Sequence, residues 1–258
     1  MDEPSMPSSA SAARRSLLVA TASRIADYRD RVDDMPVFPT FDAQSLAARL
    51  GALPDGPTPA ADVIRQLVDV LEPATVASTG PRYFGFVVGG SLDSALAADM
   101  LTAGWDQNAY NVYLSPAAAV VEEVAGRWLK ELLGIPSSAS FAFVTGAQGA
   151  NTVGLAAARH QVLAEVGWDV EQSGLIGAPA VRVVANGERH ATIDRALRLL
   201  GLGAGSLEPV AAGPQGAILV DDLERVLASR PAGPTIVCLQ AGSVNTGAID
   251  DMAASIRV

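Results

Sequence analysis

The sequence predicts an α/β fold: a mostly parallel sheet preceded by a helical and extended amino-terminal arm. Three observations carry this. From Phe141 onward, short apolar runs alternate with helical stretches, the pattern of strand–helix crossovers in a parallel sheet. Those runs are apolar at nearly every position, as strands buried on both faces are. Ahead of them, prolines 36, 39, 54, 57 and 59 break up the stretch Met35 to Pro59, which fits an extended arm. The chain has 258 residues, enough for one large domain or one domain with an appendage.

Residues 1–12 are rich in Ser, Ala and Pro and predict a disordered tail. An arm follows over 13–80. In it, Leu18, Ile25, Tyr28 and Val32 recur at helical spacing from Ala13 to Val32. One or two helical turns are expected around Ala43 to Leu50, and a short helix over Asp62 to Leu71, ended by Pro73. The α/β domain is expected over 81–258. It opens on a Gly-rich stretch, Gly80-Pro81-Arg82-Tyr83-Phe84-Gly85-Phe86 and then Gly89-Gly90, which either turns or approaches a ligand closely. Helices are predicted over Ser94–Trp105 and Pro116–Leu133, the second with Pro at its first turn and Gly134 just past its end. Four strand–helix pairs follow. Strand Phe141–Thr145 leads into helix 150–166, Val181–Ala185 into Thr192–Leu200, Leu207–Ala211 into Val220–Ser229, and Thr235–Leu239 into a helix starting at Asp250.

The formal net charge is −10, which argues against nucleic acid or an anionic membrane as the main partner. Basic residues are 17 Arg and one Lys, Lys130. Apolar residues make up 49% and mean hydropathy is +0.26. No apolar run approaches the ~18 residues of a membrane span. The single cysteine, Cys238, allows no intrachain disulfide and fits a reducing cytoplasm. Arg14-Arg15-Ser16-Leu17-Leu18 superficially resembles a twin-arginine export signal. The apolar run after it stops at Arg24, and Asp2 and Glu3 precede it, so an amphipathic helix is the better reading.

In a parallel sheet, ligands bind beyond the carboxyl ends of the strands. Three strand-to-helix turns carry suggestive residues: Gly146-Ala147-Gln148, then Asn186-Gly187-Glu188-Arg189-His190, then Gly242-Ser243-Val244-Asn245-Thr246-Gly247. The first would bare backbone N–H groups at a helix N-terminus, a ready anion site. Alternation puts all three at one edge, which brings an anion cradle, an imidazole and a set of amides and hydroxyls into one crevice.

These residues resemble a known family, the pyridoxal-phosphate-dependent group II amino-acid decarboxylases of the aromatic-amino-acid and glutamate decarboxylase kind. The likeness spans about Pro81 to Asp251. Pro81-Arg82-Tyr83-Phe84-Gly85-Phe86 resembles the family's substrate-side segment. Leu114-Ser115-Pro116 with Glu122 and Trp128-Leu129 resembles its Ser-Pro helix. Thr145 to Asn151 resembles its phosphate loop, and His190, ahead of Arg195-Ala196 and Leu200-Gly201, the histidine that stacks on the pyridine ring. Gly242 through Gly247-Ala248-Ile249-Asp250 resembles its Gly-Thr-Thr…Gly-Ala-Phe-Asp turn. The resemblance implies an aminotransferase type I-like large domain and pyridoxal phosphate as cofactor. It implies Gly146, Ala147, Gln148, His190, Ser243 and Asn245 as cofactor-binding residues, with His190 also catalytic by ring stacking. It implies Tyr83 and Phe84 on the substrate side, no metal, an amino acid as substrate, a cytoplasmic homodimer in the full-length form, and loss of carbon dioxide as the reaction. An aminotransferase-type relative shares the same loop and histidine.

Departures accompany the likeness. Gly80 stands where relatives carry His or Ser, Gln148-Gly149 where Ser-Glu is common, and Val244 where threonine is usual. The family pattern continues into an Asp-containing strand, whose carboxylate keeps the ring nitrogen protonated, and a His-Lys pair bearing the Schiff-base lysine. This sequence ends at Val258 before both. It therefore reads as a truncated amino-terminal portion, inactive alone, with an open sheet edge. A non-catalytic or split-subunit partner is the competing class. A nicotinamide-binding domain is disfavoured, because no Gly-x-Gly-x-x-Gly follows a strand; Gly201-Leu202-Gly203-Ala204-Gly205 follows a helix and reads as its C-cap.

Structural readings stand beside these. His160 lies inside a helix and reads as a surface or structural residue. Lys130 reads as solvated or snorkelling, and Trp105 as core. Tyr83 and Phe84 are either core or pocket lining. Asp250 and Asp251 read as helix-start residues favoured by the dipole. Cys238, in a buried strand, reads as inert.

Overall fold

The computed structural model describes residues 9–258; most of the expected disordered tail, residues 1–8, lies outside them. Residues 9–12, assigned to that tail from composition, are instead helical, because Ala10, Ala12 and Ala13 are strong helix formers. The chain divides into two compact units, Met1–Asp106 and Gln107–Val258, so the break falls after a helix rather than at residue 80.

The first unit holds α1 (Ser9–Arg31), α2 (Ala43–Leu50), α3 (Ala60–Leu71) and α4 (Asp93–Trp105). Asp42 starts α2 by accepting from the N–H groups of Gln44 and Ser45, at 3.3 and 2.9 Å, the usual service of an N-cap aspartate. The Gln66 amide on α3 donates to the carbonyls of Arg49 and Leu50, tying α3 to the end of α2. Glu72, just past α3, accepts from Arg24 at 3.1 Å and pairs with Arg31, fastening α1. Gly80 lies so close to the chain that an added Cβ would sit 3.1 Å from the Val32 carbonyl oxygen, a packing reason for glycine there. Phe86 and Val87 both have φ of 55°, a conformation costly for a β-branched residue such as Val87.

The second unit begins with α5 (Pro116–Leu133). The Ser115 hydroxyl caps it by accepting from the Ala118 N–H, and Gly134 closes it in the left-handed conformation at φ 65°. Then come α6 (Ala147–Ala164), α7 (Val170–Ser173), β1 (Arg182–Asn186), α8 (Ala191–Leu199), β2 (Leu207–Val210), α9 (Val220–Ala228), β3 (Thr235–Cys238) and α10 (Met252–Arg257). The sheet is parallel with order β2-β1-β3. Side chains alternate across β1. Val183 joins Leu155, Leu163, Ala196 and Leu197 beneath α6 and α8, while Val184 joins Val210, Leu223 and Val226 beneath α9. Reversal of direction between the crossovers β1-α8-β2 and β2-α9-β3 puts their helices on opposite faces. β1 is thus buried on both sides, as its continuous apolar run foretells.

The expected strand at Phe141–Thr145 is absent; the segment has no ladder partner among the described residues. Apolar character alone does not make a strand: a neighbour must exchange hydrogen bonds with it. Here the segment docks on α5 instead. The Phe141 ring sits against Gly126, where an added Cβ would come within 2.2 Å of it. Lys130 Nζ donates to the carbonyls of Ser137 and Ala139, both at 2.9 Å, and lies 5.5 Å from the centre of the Phe141 ring. Lys130 is therefore a clamp rather than a solvated side chain. Trp105, expected in the core, is 63% exposed. Among the described residues no helix is long and apolar enough to cross a membrane.

Candidate functional site

Gly146 opens α6 with φ 112° and ψ 168°, a conformation essentially reserved for glycine. Without a side chain it caps nothing, so the N–H groups of Ala147, Gln148 and Gly149, which a helix cannot satisfy internally, point off the helix start. Two α6 side chains then reach the start of α8. The Gln148 Nε2 donates to the Thr192 carbonyl at 3.2 Å, and the Asn151 Nδ2 to the Thr192 hydroxyl at 2.8 Å. The Oε1 of Gln148 is buried without a hydrogen-bond partner among the described residues.

His190 is the N-cap of α8. Its Nδ1 accepts from the Thr192 N–H at 3.2 Å and lies 3.0 Å from the Thr192 hydroxyl. Gln148, Asn151 and His190 are thereby joined through Thr192, a residue that motif reading passes over. Next to His190, Arg189 forks onto both oxygens of Asp194 at 3.1 and 2.7 Å. The hydrogen-bonded guanidinium holds the Asp194 carboxyl below the usual carboxylate range, against the opposing effect of burial.

Ser243 and Asn245 sit in a tight turn after β3. The Ser243 N–H donates to the Ala248 carbonyl and its Oγ accepts from the Asn245 N–H at 3.3 Å. Thr246 donates to the Gln215 carbonyl at 2.6 Å, so this turn is fastened to the loop after β2. No hydrogen bond among the described residues joins Ser243 or Asn245 to His190 or to the Gly146 turn; the turns after β1 and β3 share an edge of the parallel sheet, whereas the Gly146 turn follows no strand of it. Val244, where a threonine was expected, is 61% exposed.

Asp250 corrects a helix-start reading. It is 2% exposed, and Asp251 is the residue that caps α10, accepting from Ala254 N–H. The carboxyl of Asp250 instead accepts from the N–H groups of Ile218 and Gln240, each at 2.7 Å, and from Asn186 Nδ2 at 3.4 Å. Asn186 Nδ2 also donates to the Gly216 carbonyl at 2.8 Å. One buried carboxyl thus ties the end of β1 to the loops beyond β2 and β3. The short polar residue ending β1, Asn186, was the sequence's only hint.

Tyr83 and Phe84 belong to the first unit. Tyr83 packs its ring 6.0 Å from that of Phe38, whereas Phe84 is 94% exposed and is not core. A cleft of about 1000 Å³ between α1 and α3, lined by Leu17, Ile25, Tyr28, Ile64 and Val68, contains none of the expected site residues. His160, on α6, lies 3.6 Å from Glu171 and is half-exposed, a surface position.

Cys238 is half-buried at the end of β3, and burial pushes its thiol up to about 11, despite a nearby Arg189. The thiolate is the reactive form. We expect alkylation at pH 8 to be at least ten times slower on the folded chain than in urea; equal rates would show that the thiol is not shielded.

The geometry can be set beside known proteins. The family model "pyridoxal-dependent decarboxylase conserved domain" matches residues 45–256. The chain is 28% identical to tryptophan decarboxylase 1 of Oryza sativa subsp. japonica, over 93% of this chain and 49% of that protein. It is 29% identical to human cysteine sulfinic acid decarboxylase, over 70% and 36%. Among solved structures it is similar to Oryza sativa TDC with PLP and tryptamine, with TM-score 0.84, 25% identity and coverage of 100% of this chain and 54% of that one. The fold is likewise similar to mouse CSAD, with TM-score 0.85, 23% identity and coverage of 95% and 52%. The chain spans about half the length of these relatives or less.

Proposed function

The chain belongs to the pyridoxal-dependent decarboxylase family, and from that premise we propose that it is the cofactor-cradling part of a pyridoxal-phosphate-dependent amino-acid carboxy-lyase. In its full-length form we read that enzyme as a cytoplasmic homodimer whose substrate is an amino acid. The observation that carries the reading is the hydrogen-bonded junction of α6 and α8, which sets an uncapped helix start beside an imidazole.

The residues present fit the cofactor. Three convergent N–H groups, on Ala147, Gln148 and Gly149, suit a phosphate at the positive end of a helix. The orphaned Gln148 Oε1 is an acceptor, so it answers a donor on a ligand and not the phosphate oxygens. When bound, pyridoxal phosphate supplies an electron sink for the charge left on carbon as carbon dioxide departs. The chain's own contribution is to hold the phosphate at α6, to present the His190 ring to the cofactor, and to keep the loops beyond the strands closed through Asp250. Ser243 and Asn245 offer polar groups from the turn after β3; Tyr83 and Phe84, in the first unit, are read from the resemblance alone as substrate-side residues. Lys130, the chain's only lysine, is held by the carbonyls of Ser137 and Ala139. On this reading these residues bring no lysine amine to the site, and we propose that they are inactive alone.

The test uses a chain extended through the lysine-bearing segment that the family pattern implies. Incubation with pyridoxal phosphate and borohydride is expected to leave one stable adduct. Gly146→Val, strained at φ 112°, is expected to weaken cofactor binding about tenfold, or 1.4 kcal/mol. No adduct on the unsubstituted extended chain overturns the lyase reading.

A split-subunit partner is a second reading, favoured by α5. Val121, Trp128 and Leu132 share one helical face there and are 67%, 65% and 80% exposed, an apolar stripe of the kind that contacts cover. On this reading the chain co-elutes with a complementary carboxyl-terminal fragment in sizing chromatography; separate elution at every ratio counts against it.

A further inference from the structure

We infer that Asn151 and Thr192 are positioning residues that fix the tautomer and orientation of His190, so that its Nδ1 is a pure acceptor and its proton resides on Nε2. This rests on the reading of His190 as the cofactor-facing imidazole, but the geometry stands without any ligand. A backbone N–H can only donate, and the Thr192 N–H donates to His190 Nδ1 at 3.2 Å. That nitrogen must therefore offer a lone pair, and in a neutral imidazole the proton then sits on the other nitrogen. The Thr192 hydroxyl is 3.0 Å from the same Nδ1 and already accepts from the Asn151 amide at 2.8 Å. Its remaining hydrogen is free to donate to Nδ1.

The result is a one-way relay, Asn151 to Thr192 to His190, with a second donor from the backbone arriving at the same ring atom. The Gln148 amide, donating to the Thr192 carbonyl at 3.2 Å, holds Thr192 in place from the same helix. Thr192 is 6% exposed, so its end of the relay is shielded, while the His190 ring itself is open to solvent. The relay links the α6 turn that would hold a phosphate to the ring that would face the cofactor, and it leaves Nε2–H as the donor. An imidazole free to exchange tautomers would present a donor only part of the time.

Nitrogen-15 NMR of the imidazoles tests this without cofactor. The chain has only two histidines, His160 and His190, so a His160→Gln variant assigns the spectrum. Above about pH 8, where an ordinary imidazole is neutral, the expected His190 pattern is one fully pyridine-like resonance, Nδ1, and one fully pyrrole-like, Nε2. Thr192→Val and Asn151→Ala are each expected to shift the Nδ1 resonance, and Thr192→Ser to restore it. Two averaged nitrogens in the unsubstituted chain overturn the inference. So does a Thr192→Val or Asn151→Ala spectrum unchanged from the parent. A fixed tautomer on a chain that, once extended, takes up no pyridoxal phosphate would keep the relay and discard the lyase reading.

Discussion

Replacing Asp250 with alanine is expected to destabilise the second unit by about 4 kcal/mol. The carboxyl is 2% exposed and accepts from two backbone N–H groups at 2.7 Å and one side-chain amide at 3.4 Å. Alanine would leave the Ile218 and Gln240 N–H groups buried without acceptors, and each such orphan costs about 1–3 kcal/mol. Asparagine is no remedy. Its NH₂ would face one of those N–H groups, donor against donor, so Asp250→Asn should recover less than half of the loss. Because Asn186 ends β1 and Ile218 and Gln240 lie beyond β2 and β3, the loss would reach function through geometry. The Ser243 turn, fastened by Thr246 to Gln215, would loosen along with the β2 loop. Urea unfolding followed by circular dichroism checks the magnitude. A loss below about 1 kcal/mol would mean that water replaces the carboxyl readily, contrary to the burial seen.

Where sequence reading succeeded, the controlling interactions are local. Pro116 and Gly134 bracket α5 as read, because a helix start tolerates a missing N–H and a left-handed residue ends the turn. β1 and β3 are short Val- and Ile-bearing runs, and β2 is Leu-Glu-Pro-Val; all three lie in the same short stretch of chain. Gly201 closes α8 as a C-cap at φ 73°, with the Leu202 N–H bonded to the Leu197 carbonyl. The failures share another cause, which is dependence on distant partners. Phe141–Thr145 has strand composition but no ladder, and its place is set by Gly126 and Lys130 on α5. Asp250 sits just before a helix and so looks like a cap; its acceptors' partners come from positions 186, 218 and 240. His190 stands at the start of α8, where its strand–turn–helix setting puts it. Thr192 and Asn151, 41 residues apart, carry no spacing signal that links them.

The other large effect is expected at Arg182, where alanine should cost about 3 kcal/mol. Its guanidinium forks onto Glu208 at 3.1 and 2.7 Å, across the β1–β2 pair, and also donates to the carbonyls of Val226 and Leu227 at the end of α9. The two side chains are only 11% and 18% exposed, so removing the cation strands a shielded carboxylate and two carbonyls together. Only Arg230, 61% exposed and 3.3 Å from Glu208, is left to compensate. The pair also sets a pH dependence. The hydrogen-bonded Arg182 guanidinium holds the Glu208 carboxyl below its ordinary value of 4.5, outweighing burial. A depressed carboxyl pKa contributes stability that is fully present above the unfolded value and is lost as pH falls through the folded one. Stability should therefore be insensitive to this pair at neutral pH and decline below about pH 4.5. Glu208→Gln should be less stable than the parent at pH 7 and converge toward it in acid. Denaturant midpoints at pH 7 and pH 3 check the sign: a gap between the two proteins that widens in acid would mean that the pair does not hold β1, β2 and α9 together.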